Sequence, residues 1–104
     1  MVKKAPFEAI HRHGFVRAAA ATPTASAGDV AFNVEQAIAQ AKEAHKRGVD
    51  LVVFPELNIS SYAVDDLHLQ EAFLDAVEQG IGALCGATSG LSPGLVVGAP
   101  VRRN

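Results

Sequence analysis

Apolar and polar positions along this chain fall into blocks of different period, and the order of the blocks predicts the fold. Residues 1–13 have no clear period and read as a lead-in segment. Residues 15–21 (FVRAAAA) read as a first strand, although alanine is a weak strand former. Residues 22–28 (TPTASAG) carry the Pro, Ser, Thr and Gly content of a loop. A helix follows. Asn33 is placed to cap it, with Gln36 at the capping-box spacing, and Val34, Ala37, Ile38, Ala41 and Ala44 recur at helical intervals. His45, Lys46 and Arg47 suit the negative end of its dipole, and Gly48 ends it.

Asp50 then leads into residues 51–54 (LVVF), a continuous apolar run expected of a strand buried on both faces. Pro55 keeps Phe54 extended. A second helix is expected from Asp65 or Asp66 to about Leu84, with Leu67, Leu69, Phe73, Ala76, Val77, Ile81 and Leu84 as its apolar positions. Gly80 and Gly82 weaken its final third. Residues 86–94 (GATSGLSPG) read as a loop and residues 95–98 (LVVG) as a third buried strand, stopped by Ala99-Pro100. The order β-α-β-α-β predicts an α/β fold with a parallel sheet and right-handed crossovers. Ligands of such sheets bind beyond the carboxyl ends of the strands. Glu56, two residues past Phe54, lies there.

Composition narrows the picture. With 104 residues the chain holds at most one small domain. Half of it is apolar (49%), 19% is charged and the net charge is −2, which suits a globular protein and argues against disorder. No basic face is indicated, so neither nucleic acid nor an anionic membrane is an expected partner. No apolar run reaches the ~18 residues of a membrane span. Lys3-Lys4 followed by Ala18–Ala21 loosely imitates a secretory signal, but Glu8, His11, Arg12, His13 and Arg17 interrupt it. With its single cysteine, Cys85, the chain is expected in a reducing cytoplasm.

Glu56 is the residue best placed for chemistry. A carboxylate beside an apolar strand end is expected to be partly desolvated and so a better proton acceptor, the competing role being to accept loop amides or pair with a lysine. The phrase GVDLVVFPELNISSYAVDDL resembles the signature of the nitrilase, or carbon–nitrogen hydrolase, superfamily. With HGFVRAAAATP, DDLHLQEAFLDAV and PGLVVGAPVR at matching spacing, and with the aspartates and LxLQ after Tyr62, the chain is similar more narrowly to the N-terminal glutaminase domain of glutamine-dependent NAD synthetases. That resemblance implies the first half of a nitrilase-like four-layer α-β-β-α sandwich, with residues 14–104 a partial domain cut short at its C-terminus.

It further implies a Glu-Lys-Cys triad in which Glu56 is the general base, a cysteine forms a thioester with glutamine, and a lysine steadies the oxyanion. Tyr62 would line the glutamine pocket, or else simply pack the loop. ATP and magnesium would serve a separate synthetase domain, with no cofactor in this chain, and the parent would be a homo-oligomer. The family's lysine and cysteine lie downstream of the LVVGAP strand. None of Lys3, Lys4, Lys42 or Lys46 matches the one, and Cys85, near a helix C-terminus that raises a thiol pKa, does not match the other and reads as a small apolar filler.

His11 and His13 lack further metal ligands, Asp65 and Asp66 are explained by a helix start, and the glycines make no phosphate cradle. The isolated chain is therefore expected to be inactive. It is also expected to be marginally stable or to associate, because a sheet face and edge would lie uncovered. Competing expectations are a nitrilase-type amidase or carbamoylase fragment, and a catalytically dead remnant acting as a binding module.

Overall fold

The computed structural model describes residues 10–60 and 71–101. After a 3-10 turn at Ile10–His13, the elements are β1 (Ala18–Ala20), α1 (Val30–Lys46), β2 (Leu51–Val53), α2 (Glu71–Thr88) and β3 (Gly94–Val96). The strands form one parallel sheet in the order β1-β2-β3, with Ala19 level with Val52 and Val52 level with Leu95. The predicted β-α-β-α-β order and parallel pairing are thus observed.

Short strands are lengthened by flanking bonds. Ala21 N donates to Val53 O at 2.9 Å and Phe54 N to Val96 O at 2.9 Å. At the opposite end Asp50 ties the strands together. Its carboxylate accepts from Arg17 N at 2.7 Å, its own N–H donates to Arg17 O, and its carbonyl accepts from Gly94 N. The Arg17 guanidinium reaches Arg47 O at 2.6 Å, satisfying a carbonyl just past the end of α1.

The core lies between the sheet and the two helices. Val30, Val34, Ala37, Ala41 and Ala44 form the buried stripe of α1, and Phe73, Val77 and Leu84 that of α2. They close over Val52, with Ala19 and Leu95 packed at its sides. Gly80 lies at the crossing of the helices, where a Cβ would stand 2.6 Å from Val30 Cγ1 and 3.1 Å from Val34 Cγ2. The residue expected only to weaken α2 is what lets it approach α1.

Several boundaries differ from the sequence expectation. The cap of α1 is Asp29, whose Oδ1 accepts from Phe32 N at 3.1 Å, so the helix starts before Asn33, and Asn33 is a buried interior residue. Helix α2 continues through Gly86 to Thr88, where the Thr88 hydroxyl donates to Leu84 O at 2.7 Å. Its expected start at Asp65 or Asp66 lies outside the described residues. The exit of α1 agrees, with Gly48 at φ 68°, a conformation that suits glycine at a helix end.

The second and third strands are buried on one face rather than both. Val52 is buried, whereas Leu51, Val53 and Val96 point away from the helices and are 39–49% exposed. Phe15 and Val16, expected in the first strand, precede β1 and are exposed. No helix among the described residues is long and apolar enough to cross a membrane.

Candidate active site

The chain leaves β2 through Phe54 and Pro55 and folds into a short loop over residues 55–60. Phe54 is buried, Asn58 N donates to Pro55 O at 3.2 Å to close a turn, and Asn58, Ile59 and Ser60 are all buried. Glu56 stands at the outer side of this turn, at the carboxyl end of the sheet, and is exposed. The partial desolvation expected of it is not supplied by the described residues, and its carboxylate makes no hydrogen bond or ion pair with them.

Two asparagines hold the loop. Asn33, 1% exposed on α1, accepts from Ser26 N at 2.7 Å and donates from Nδ2 to Ser26 O and Ile59 O, each at 2.9 Å. It therefore joins α1, the β1–α1 loop and the Glu56 loop through three bonds. Gly28 N adds a bond to Ser60 O at 3.0 Å. Asn58 works on the other side, where its Oδ1 accepts from Gly98 N at 2.9 Å, while Ile59 N donates to Gly98 O at 3.2 Å.

The Gly98 N–H can face only an acceptor, so Asn58 must present its oxygen there. This leaves Nδ2 buried without a partner among the described residues. An unpaired buried donor costs about 1–3 kcal/mol.

Gly98 also touches the backbone of Glu56 directly. A Cβ at position 98 would overlap the Glu56 carbonyl and stand 2.7 Å from its Cα. Glycine is required there by close approach, not by a left-handed backbone. Sequence reading singled out Glu56 but missed Asn58 and Gly98 as its supports, and assigned Asn33 to a cap. An asparagine inside an apolar helical stripe was the available signal for a buried polar tie.

The other candidates lie apart from this site. Tyr62 falls outside the described residues, as do Asp65 and Asp66. Cys85 is exposed on α2, not a buried filler, and lines an apolar groove with Ile81, Leu84, Pro93, Leu95 and Val97. His45 Nδ1 lies 3.1 Å from Ser92 N and 3.0 Å from the Ser92 hydroxyl, tying the end of α1 to the loop before β3. Among the described residues no three His, Cys, Asp or Glu side chains converge as metal ligands.

The carbon-nitrogen hydrolase family model matches residues 17–102, which include all three strands, both helices and the Glu56 loop. The glutamine-dependent NAD(+) synthetase of Mycobacterium bovis is 44% identical over 96 residues, covering 92% of this chain and 14% of that protein. The synthetases of Mycobacterium leprae and Xylella fastidiosa are 42% and 40% identical over 88% and 83% of this chain. This chain spans only 14–16% of the length of these relatives. A crystal structure of the glutamine-dependent NAD(+) synthetase from Cytophaga hutchinsonii superposes with a TM-score of 0.78 over 85% of this chain and 15% of its own, at 22% identity, and so shares the fold. By the match along most of its length, the chain belongs to the carbon-nitrogen hydrolase family.

Proposed function

We propose that this chain is the N-terminal portion of the glutamine-hydrolysing domain of a glutamine-dependent NAD synthetase, and that Glu56 is its general base. The observation that carries the reading is the place of Glu56: an exposed carboxylate at the carboxyl end of a parallel strand, on a turn braced from two sides, within a segment 44% identical to such a synthetase. Ligands of parallel α/β sheets bind at that end.

The chemistry follows from the weakness of an amide as an electrophile. Glu56 takes the proton of a cysteine thiol supplied by a later part of the domain. The thiolate attacks the carbon of the glutamine side-chain amide, and the tetrahedral intermediate carries an oxyanion that a lysine, also from outside this chain, stabilises. Protonation of the departing nitrogen releases ammonia and leaves a thioester, which water then hydrolyses. The ammonia would amidate the activated carboxylate of deamido-NAD in a separate domain that uses ATP and magnesium. Among the described residues no three His, Cys, Asp or Glu side chains converge to hold magnesium. In this reading the parent is a cytoplasmic homo-oligomer.

A positioned base contributes on the order of 10²–10⁴-fold, and the members of a triad act as a unit. The isolated chain should therefore release no ammonia from glutamine above background. In the full-length gene product, Glu56→Gln should abolish glutamine-dependent ammonia release while leaving any use of free ammonia intact. Full glutamine hydrolysis by that variant would remove Glu56 from the mechanism, and release by the 104-residue chain that Glu56→Gln abolishes would show that no other segment is needed.

A further inference from the structure

The geometry points to Asn58 and Gly98 as positioning residues for Glu56, forming a clasp between the Glu56 turn and the exit of β3. Three contacts define it. Asn58 Oδ1 accepts from Gly98 N at 2.9 Å, Ile59 N donates to Gly98 O at 3.2 Å, and the missing side chain at 98 leaves room for the Glu56 carbonyl. Glu56 itself is exposed and makes no side-chain bond with the described residues, so its position comes from its backbone. That backbone is bracketed by Pro55, which fixes one torsion, and by Asn58 two residues on, which is 5% exposed.

The clasp couples two strands at the point where a reacting group must be held. A base has to meet its proton donor within hydrogen-bonding reach, and a displacement of about 1 Å can cost on the order of 100-fold in rate. Any side chain at 98 would push the Glu56 peptide outward. Loss of the Asn58 oxygen would free the turn from β3 while leaving the Asn33 tie to Ile59 intact. Asn58 and Gly98 thus act through Glu56 and need not touch substrate. This inference rests on the proposed role of Glu56 as a base.

The test uses the full-length gene product, with kcat and KM for glutamine hydrolysis and melting temperature measured for each variant. Asn58→Ala and Gly98→Ala should lower kcat about 100-fold or more, with KM changed less than about 3-fold. Asn58→Asp should recover most of the rate, because a carboxylate oxygen still accepts from Gly98 N. Gly86→Ala, where no atom lies within 4 Å of the added Cβ, should keep the unsubstituted protein's kcat and KM.

If Gly98→Ala unfolds, Asn58→Ala and its rescue by Asn58→Asp decide the matter. Should Asn58→Ala unfold too, Asn58→Ser, whose hydroxyl stops one bond short of Gly98 N and so cannot close the clasp, replaces it. A folded Asn58→Ala or Asn58→Ser variant with unchanged kcat, measured beside an inactive Glu56→Gln, would overturn the clasp and leave the base standing. An active Glu56→Gln would instead overturn the base.

Discussion

The two faces of the sheet are made of similar residues but meet different surroundings. On the face toward the helices, Val52 is 1% exposed and packs with Ala19 and Leu95 against α1 and α2. On the other, Leu51, Val53 and Val96 are 39%, 41% and 49% exposed, with no element among the described residues laid over them. A solvent-facing strand ordinarily alternates apolar with polar positions, whereas these carry apolar residues on both sides. The bare face has the composition of a core. The sandwich implied by the family resemblance would cover it with a second sheet, and the chain spans only 14–16% of its relatives' length.

Placing the same charge on either face gives the largest expected contrast. Val52→Asp buries an unpaired carboxylate among Val34, Val77 and their neighbours, and should abolish cooperative melting, a loss above about 4 kcal/mol. Val53→Asp in the 104-residue chain should cost about 1 kcal/mol or less and reduce self-association, read as a melting temperature that no longer depends on concentration. If a second sheet covers that face in a full-length synthetase, as the family resemblance implies, the same Val53→Asp should be severely destabilising there. Equal damage from both substitutions in the short chain would mean that the bare face is already buried by association. Tolerance of Val53→Asp in both forms would remove the second layer.

The polar ties come next. Asn33→Ala removes three hydrogen bonds and leaves Ser26 N and Ile59 O without their partner, which should cost about 2–4 kcal/mol in the midpoint of urea unfolding. Asn33→Asp should be no better, since a carboxylate would face the two carbonyls that Nδ2 now serves. A loss below about 0.5 kcal/mol in either variant would reduce Asn33 to an ordinary helix residue.

These residues show where sequence reading succeeded and where it stopped. The element order and the glycine end of α1 were legible because they rest on local signals, hydrophobic period and a glycine after the last apolar turn, and the parallel pairing followed from the helices between the strands. The cap of α1 was misplaced because Asp29 and Asn33 are both good cap residues, and only the fold shows that Asn33 is needed by Ser26 and Ile59 instead. The LVVF run was read as buried on both faces, but the described residues cover only the Val52 side and leave Leu51 and Val53 exposed, because period alone cannot say which faces meet a partner. The location of Glu56, just past the carboxyl end of β2, was legible from its place after an apolar run. Its supports, Asn58 and Gly98, were not, because their pairing spans 40 residues and depends on one close approach.

The covered face also depends on how closely α2 can lie on α1, and its glycines divide the smallest predicted effects by sign. Gly80→Ala drives a methyl to 2.6 Å from Val30 Cγ1, tighter than packed atoms tolerate, and should cost about 1–3 kcal/mol as the helices separate. Gly82 and Gly86, on the same helix, have nothing within 4 Å of an added Cβ. Gly82→Ala and Gly86→Ala should each stabilise by about 0.5–1 kcal/mol, because alanine has less backbone freedom to lose on entering a helix. For a domain of this size, that raises the melting temperature by a few degrees. Opposite signs at positions two apart would place the helix crossing at Gly80. A gain at all three would mean that α2 is held off α1, and that the cover over Val52 is looser than the packing of Val30 and Val34 indicates.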